Sequence, residues 1–402
     1  MTATNAITSA ILQQMPGINK CQQRFIAHLF DLLLSLTHKA TYLTMGRYGK
    51  YGEQTYRNQY SKDFDFKTFN SNLIDQYCGS ERILLFDPSY ISKSGKSTPG
   101  VGYFWSGAAN AVKWGLEIAN IAVGDIENWT GWHYYASRTE PVKKGDEDTL
   151  LDVYANLIVE QSESLQKISK TICFDAFFSK RRFVERICEA GFVMVSRLQK
   201  NAYLRYKYTG EQHKGKGRPK LYDGKIDPKN VNTDHFKLIE SSEEVRIYEG
   251  IAHVRSLKRF CKIIIKQKLN EGKIKQYAIY FSTEETMDGK KTETYYRLRF
   301  QIEFIFKDGK GHLGLEDSQS RTENALDFHF NASLSTLNVA KAAYWSSIPK
   351  EQRTTFSIQD IKTRYANQLL LDRLILIYGK DPILEKNNPK IKELYDLGII
   401  AA

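Results

Sequence analysis

Cysteine is scarce in this chain. The five present, Cys21, Cys78, Cys173, Cys188 and Cys261, are odd in number and form no C-x-x-C pair. Neither a disulfide framework nor a cysteine zinc site is indicated, and a reducing interior is the natural setting. The histidines are scattered without an H-x3-H pair, which removes another common zinc arrangement. Long apolar runs are missing as well. The most apolar helical stretch, FIAHLFDLLLSL, is too short to span a bilayer and contains Asp31. The N-terminus lacks the basic start and apolar run of a signal peptide. Internal repeats and low-complexity tracts are absent. The expectation is a soluble, cytoplasmic protein with no membrane partner.

What is present points toward a polyanion. The 402 residues allow two or three domains, and a hydrophobic content of 42% can fill a sizeable core. The formal charge of +12 favours a polyanionic partner. Tyrosine (24) and phenylalanine (21) suit base stacking and ordinary packing alike.

Along the chain, residues 20–76 read as helices carrying Arg47, Lys50, Arg57, Lys62 and Lys67 among several tyrosines. They suit a basic helical module that grips duplex DNA, or a helical cap on the next domain. Residues 81–125 read as three strands, beginning with the apolar run ILLF that Asp87 ends. A helix, the strand TICFD, a second helix ending at Gly191 and the strand FVMVSRL follow. Between 200 and 285 the pattern turns to β, with Asn270-Glu271-Gly272-Lys273 as a hairpin turn. After Lys310 the chain returns to helices, closing on a long amphipathic one.

The most specific pattern lies in YYRLRFQIEFIFKDGK, from Tyr295 to Lys310. Tyr296, Arg299, Glu303 and Lys310 would lie within roughly 60° of arc on one straight helix. A second stripe of Leu298, Ile302 and Ile305 can be buried. One acid among basic groups suits a carboxylate that holds a metal while its neighbours hold phosphates. Asp87 and Asp175 end apolar strand-like runs, so their carboxylates can converge with that of Glu303. Three carboxylates with open coordination positions suit Mg²⁺ or Mn²⁺. Two such ions, roughly 4 Å apart, can activate an attacking oxygen and stabilise a leaving one.

The spacing Y-x2-R-x3-E-x6-K resembles the signature helix of bacterial DDE transposases of the insertion-sequence-four family. FDPSY around Asp87 and FDAFFSK around Asp175 resemble the family's first two acid motifs. The resemblance implies an α/β fold: a ribonuclease H-like catalytic core interrupted by a β-rich insertion, with helical N-terminal and C-terminal regions. The expected divisions are 1–78, helical and DNA-binding; 79–199, first part of the core; 200–285, the insertion; 286–346, second part of the core; and 347–402, helical. It also implies catalytic, metal-holding roles for Asp87, Asp175 and Glu303, and DNA contacts for Tyr296, Arg299 and Lys310. The implied partners are double-stranded DNA, as terminal inverted repeats and target, and a second copy of the chain in the DNA complex. The implied reaction is metal-dependent cleavage and strand transfer. An inactive DNA-binding relative and a ribonuclease H-like nuclease are the alternatives.

Further basic groups extend the expected DNA surface. HKGKGRPK, with Lys214, Lys216, Arg218 and Lys220, resembles a minor-groove hook and equally suits a solvated loop. The strand CKIIIKQK puts Lys262, Lys266 and Lys268 on one face, as a phosphate-tracking surface or a lysine-protected edge. Gly95-Lys96-Ser97 imitates the end of a Walker loop, but Tyr90 stands where that motif needs glycine. Some family members stack a flipped base on a tryptophan of the insertion. None of the five tryptophans here lies in 200–285, which leaves Tyr203, Tyr206 or Tyr208, or Trp129 and Trp132 reaching in from the core.

Overall fold

Short polar residues start the N-terminal helices. Those helices are α1 (Ala3–Gln13), α2 (Lys20–Ser35), α3 (Tyr42–Tyr48), α4 (Glu53–Tyr60) and α5 (Phe66–Tyr77). Thr2, Asn19, Thr41 and Asp65 each accept from an amide one turn into their helix, satisfying donors that a helix end leaves unpaired. The structure is a computed structural model and describes residues 2–400 except 144, 213–217, 354, 355 and 386.

Twelve strands among the described residues form one mixed sheet. They are β1 (Arg82–Ser92), β2 (Gly102–Ser106), β3 (Ala111–Asp125), β4 (Thr130–Arg138), β5 (Thr171–Cys173), β6 (Val193–Leu198), β7 (Leu204–Lys207), β8 (Tyr222–Lys225), β9 (Lys237–Ser241), β10 (Val245–Val254), β11 (Arg259–Asn270) and β12 (Lys273–Ser282). The order runs β2-β3-β1-β5-β6-β12-β11-β10-β7-β8, with β4 on β3 and β9 on β10. β1, β5 and β6 are parallel, while β3 runs antiparallel to β1 and β4 antiparallel to β3. The strands of 200–285 continue this sheet directly, because β12 pairs with β6. The β11–β12 turn falls at Glu271 and Gly272, both with positive φ, as a tight hairpin requires.

Between the strands lie α6 (Leu150–Val159), α7 (Ser162–Ile168) and α8 (Arg181–Glu189), which share a core with Leu84, Phe86 and Ile121 on one sheet face. The other face, through Ile83, Leu85, Ile91 and Leu116, packs against α9 (Gly289–Leu298), α10 (Gln301–His312) and α11 (Glu323–Ser346). The helix α12 (Ile358–Ile377) follows, and no helix among the described residues is long and apolar enough to cross a membrane.

Three local readings of the sequence need correcting. β1 does not end at Asp87 but continues through Pro88 to Ser92. Its parallel neighbour stops where Leu85 meets Cys173, so beyond that point only the β3 side is bonded and a proline is tolerated. A fourth strand, β4, was not expected. The expected single signature helix is two, joined at Arg299 and Phe300 by tight bonds from Ile302 N to Arg299 O and from Glu303 N to Phe300 O. α9 packs on β6, β11 and β12, whereas α10 packs on β1 and β4. The bend lets the chain follow a twisted sheet that one straight helix would leave.

Helix α11 seals the outer edge of β4. Asn331 exchanges hydrogen bonds with Ala136 N and O, and Asn338 does the same with His133 N and O. Lys341 Nζ donates to Gly131 O at 2.6 Å. Side chains here replace a missing neighbouring strand. Asn338→Ala would leave a buried N–H and C=O unpaired, so a loss of about 2 to 4 kcal/mol in urea unfolding is expected. A loss below about 0.5 kcal/mol would mean that water reaches this edge.

Candidate active site

Two aromatic anchors position the first two acids. Side chains alternate along a strand, so Phe86 enters the core on one face while Asp87 faces α9 and α10 with Ile83, Leu85 and Ile91. Phe174 packs against Phe86 at 5.6 Å, and Phe178 at 5.5 Å, which fixes the turn after β5 where Asp175 sits. Asp175 makes no side-chain capping bond to the short helical turn Ala176–Phe178. It accepts instead from the Tyr296 hydroxyl at 3.2 Å.

The bent signature segment supplies the rest. Leu298 is fully buried against Gly124, where a Cβ would come within 2.7 Å of the leucine side chain. This close approach lowers Tyr296 and Arg299 toward the two aspartates. Arg299 is partly buried and donates to Glu303 Oε1 at 2.7 Å, while its Nε has no partner among the described residues. Burial opposes the guanidinium charge, but Tyr296, Glu303, Asp87 and Asp175 together hold its pKa above the ordinary value. The Asp87 carboxyl is pushed up to about 7, first by burial, then by Asp175, Glu303 and Glu117, with Arg299 opposing. Asp87, Asp175 and Glu303 therefore belong to one charge cluster around Arg299. Among the described residues they do not close into a three-acid cage. Glu303 is turned to Arg299, and Asp175 to Tyr296.

The other expected site residues are placed as follows. Lys310 Nζ donates to Tyr90 O at 2.5 Å and lies 3.4 Å from Glu316, so it ties α10 to β1. Burial lowers its pKa, with Glu316 opposing. Lys214 and Lys216 lie outside the described residues. Arg218 is exposed, and Lys220 pairs with Asp223 and lies over the Tyr208 ring. Trp132 is fully buried and cannot meet a base; Trp129 is exposed beside Arg297. Lys266 pairs with Glu293 across to α9, and Lys262 with Glu249.

A cleft beside Tyr296 was not foreseen. Arg197, Lys200, Lys266, Lys268 and Arg297 line it with Glu293, Tyr277 and Tyr280, and the Tyr280 and Tyr296 rings meet at a tilt, 4.9 Å apart. Its sequence signal was the basic pair in SRLQK, at the end of the strand that follows the second acid. Glu117 was also missed. It is buried and accepts from the Tyr154 hydroxyl at 2.5 Å, and nothing in its local sequence separates it from a strand residue facing solvent.

A family model described as the transposase DDE domain matches residues 136–339, half of the chain. The chain belongs to this family. The match includes Asp175 and Glu303 and begins after Asp87. No curated protein matches the chain. Transposase DDE domains use divalent metal ions. The three carboxylates are of the hard oxygen type that such an ion takes, and a dication beside Asp87 would relieve the like-charge repulsion that helps raise its pKa.

This charge cluster carries a cost in stability. A raised pKa means that the fold favours protonated Asp87. Between about 3.8 and about 7 the folded chain keeps a proton that the unfolded chain has lost, so stability falls as pH rises through that window. Asp87→Asn removes that cost. Without divalent metal, its gain in unfolding free energy is expected to grow from pH 4 to pH 7 and to level above, reaching at most about 4 kcal/mol. Urea unfolding at both ends of the window checks this. A difference that does not change with pH would contradict the placement of Asp87.

Proposed function

We propose that the chain is a DNA transposase of the insertion-sequence-four type, which binds the ends of a mobile element and moves it by cut-and-paste chemistry. The observation that carries the reading is that the signature segment reaches two of the acids, with Tyr296 donating to Asp175 and Arg299 to Glu303. Three further features support it. All four positions of Y-x2-R-x3-E-x6-K are filled. In the order β4-β3-β1-β5-β6 only β3 runs against the other four strands, which supports a ribonuclease H-like reading of the core. A largely basic cleft lies beside Tyr296, the residue that donates to Asp175.

In this reading Asp87, Asp175 and Glu303 hold two divalent ions, Mg²⁺ or Mn²⁺. Bound there, the ions supply Lewis-acid stabilisation of the attacking and leaving oxygens. Arg299 leaves Glu303 and takes a DNA phosphate in its guanidinium fork. Tyr296 orients Asp175 through its hydroxyl. Lys310 steadies β1 at Tyr90, three residues from Asp87, and meets a DNA strand end. The basic cleft and the exposed Arg218 track the backbone, and affinity falls with salt as phosphate contacts require. The freed 3′-hydroxyl of the element then attacks target DNA within a pair of chains. Metal-dependent nicking of supercoiled DNA tests the reading. Binding without nicking at any metal concentration would favour an inactive DNA-binding relative, and cleavage confined to RNA–DNA hybrids would favour a nuclease.

A further inference from the structure

The β2–β3 hairpin carries a row of exposed apolar side chains that the site does not use. Tyr103 is 72% exposed, Trp105 55%, Val112 60% and Trp114 36%. Tyr103 pairs with Trp114 and Trp105 with Val112 across the hairpin, so all four share one face. The Tyr103 and Trp114 rings meet edge to face at 5.3 Å. Phe104, on the opposite face, is buried and fixes the hairpin from below.

The row lies on the sheet face that also carries Asp87, and Leu116 and Ile118 between the two regions are buried under the helices. β1 and β3 pair without a register shift, and Asp87 lies opposite Asn120. Trp114 is six residues from Asn120, an even number, so it stands on the same sheet face as Asp87. The separation is about 20 Å at 3.3 Å per residue, close to six stacked base steps of one strand. Tyr90 joins the two regions: its hydroxyl donates to Trp114 O at 2.6 Å, and its carbonyl accepts from Lys310.

We infer that the hairpin face is a stacking platform for unpaired bases of the DNA whose phosphate lies at Asp87. This rests on the function proposed above. Three of the four side chains are aromatic, which suits π-faces of any base sequence. Four partly exposed side chains, at about 150 to 250 Å² for each whole aromatic, fall short of the roughly 800 Å² per partner that a stable protein interface buries. A second copy of the chain is thus the poorer occupant.

The test uses the full chain without divalent metal, an oligothymidine single strand and a blunt duplex. The double variant Tyr103→Ala, Trp105→Ala is expected to lose at least about tenfold in affinity for oligothymidine and less than about twofold for the duplex. Trp105→Phe keeps most of the affinity, because the ring remains. An equal loss on both DNAs, or no loss on oligothymidine, would overturn the platform. So would a dimer of the free wild-type chain that the double variant converts to monomer. Nicking by the wild type is measured in parallel with metal added. Nicking with no effect of the variants sinks the platform alone, whereas absence of nicking sinks the proposed function.

Discussion

Asp87→Asn, Asp175→Asn and Glu303→Gln are each expected to lower metal-dependent DNA cleavage by at least about a thousandfold. Each removes one ligand oxygen charge from a site whose ions supply several kcal/mol of charge stabilisation, and about 4 kcal/mol corresponds to that factor. DNA binding should change little, because the proposed phosphate contacts are those of the basic cleft and Arg299 and not of the acids. Loss through unfolding can be told apart, at least for Asp87, since its replacement is expected to stabilise the metal-free fold above pH 7. The three losses should not multiply: each variant already lacks the complete site. A variant that cuts at the wild-type rate would remove that residue from the chemistry.

Arg299→Ala is expected to lower the maximal cleavage rate by about a hundredfold, without raising the metal concentration needed for half-maximal rate. A displaced reacting phosphate costs on this scale. The guanidinium now holds Glu303 at 2.7 Å and sits among the acids, so its charge competes with an incoming ion. Its removal frees Glu303, and the metal midpoint should stay or fall. Arg299→Lys should recover part of the rate only, since an ammonium cannot form the paired fork. A metal titration of cleavage for each variant decides the matter. A midpoint that rises strongly with an unchanged maximal rate would make Arg299 an organiser of the metal site.

The signature residues could be read from spacing alone because the chain is helical on both sides of Arg299, and the buried stripe of Leu298, Ile302 and Ile305 holds. The bend itself could not be read, since it depends on which strands each half meets. Strand β4 was hidden for a related reason. Its backbone edge is satisfied by Asn331, Asn338 and Lys341, almost two hundred residues away or more, and TGWHYYASR shows no clean apolar alternation. Pro88 disguised the length of β1, and only the early end of β5 makes it acceptable. The two aspartates were legible as acids after apolar runs. Their coupling to Arg299 and Glu117 was not, because it arises from the fold's depth and not from neighbouring sequence.

The central claim is that Asp87, Asp175 and Glu303 jointly hold the ions that cut DNA. The most direct measurement is anomalous scattering from Mn²⁺ in crystals of the protein bound to cleaved DNA. The expected result is manganese density coordinated by all three carboxylates, with Glu303 turned away from Arg299 and the guanidinium on a phosphate. Manganese bound elsewhere in a complex that has cut its DNA, with Glu303 still paired to Arg299, would contradict it.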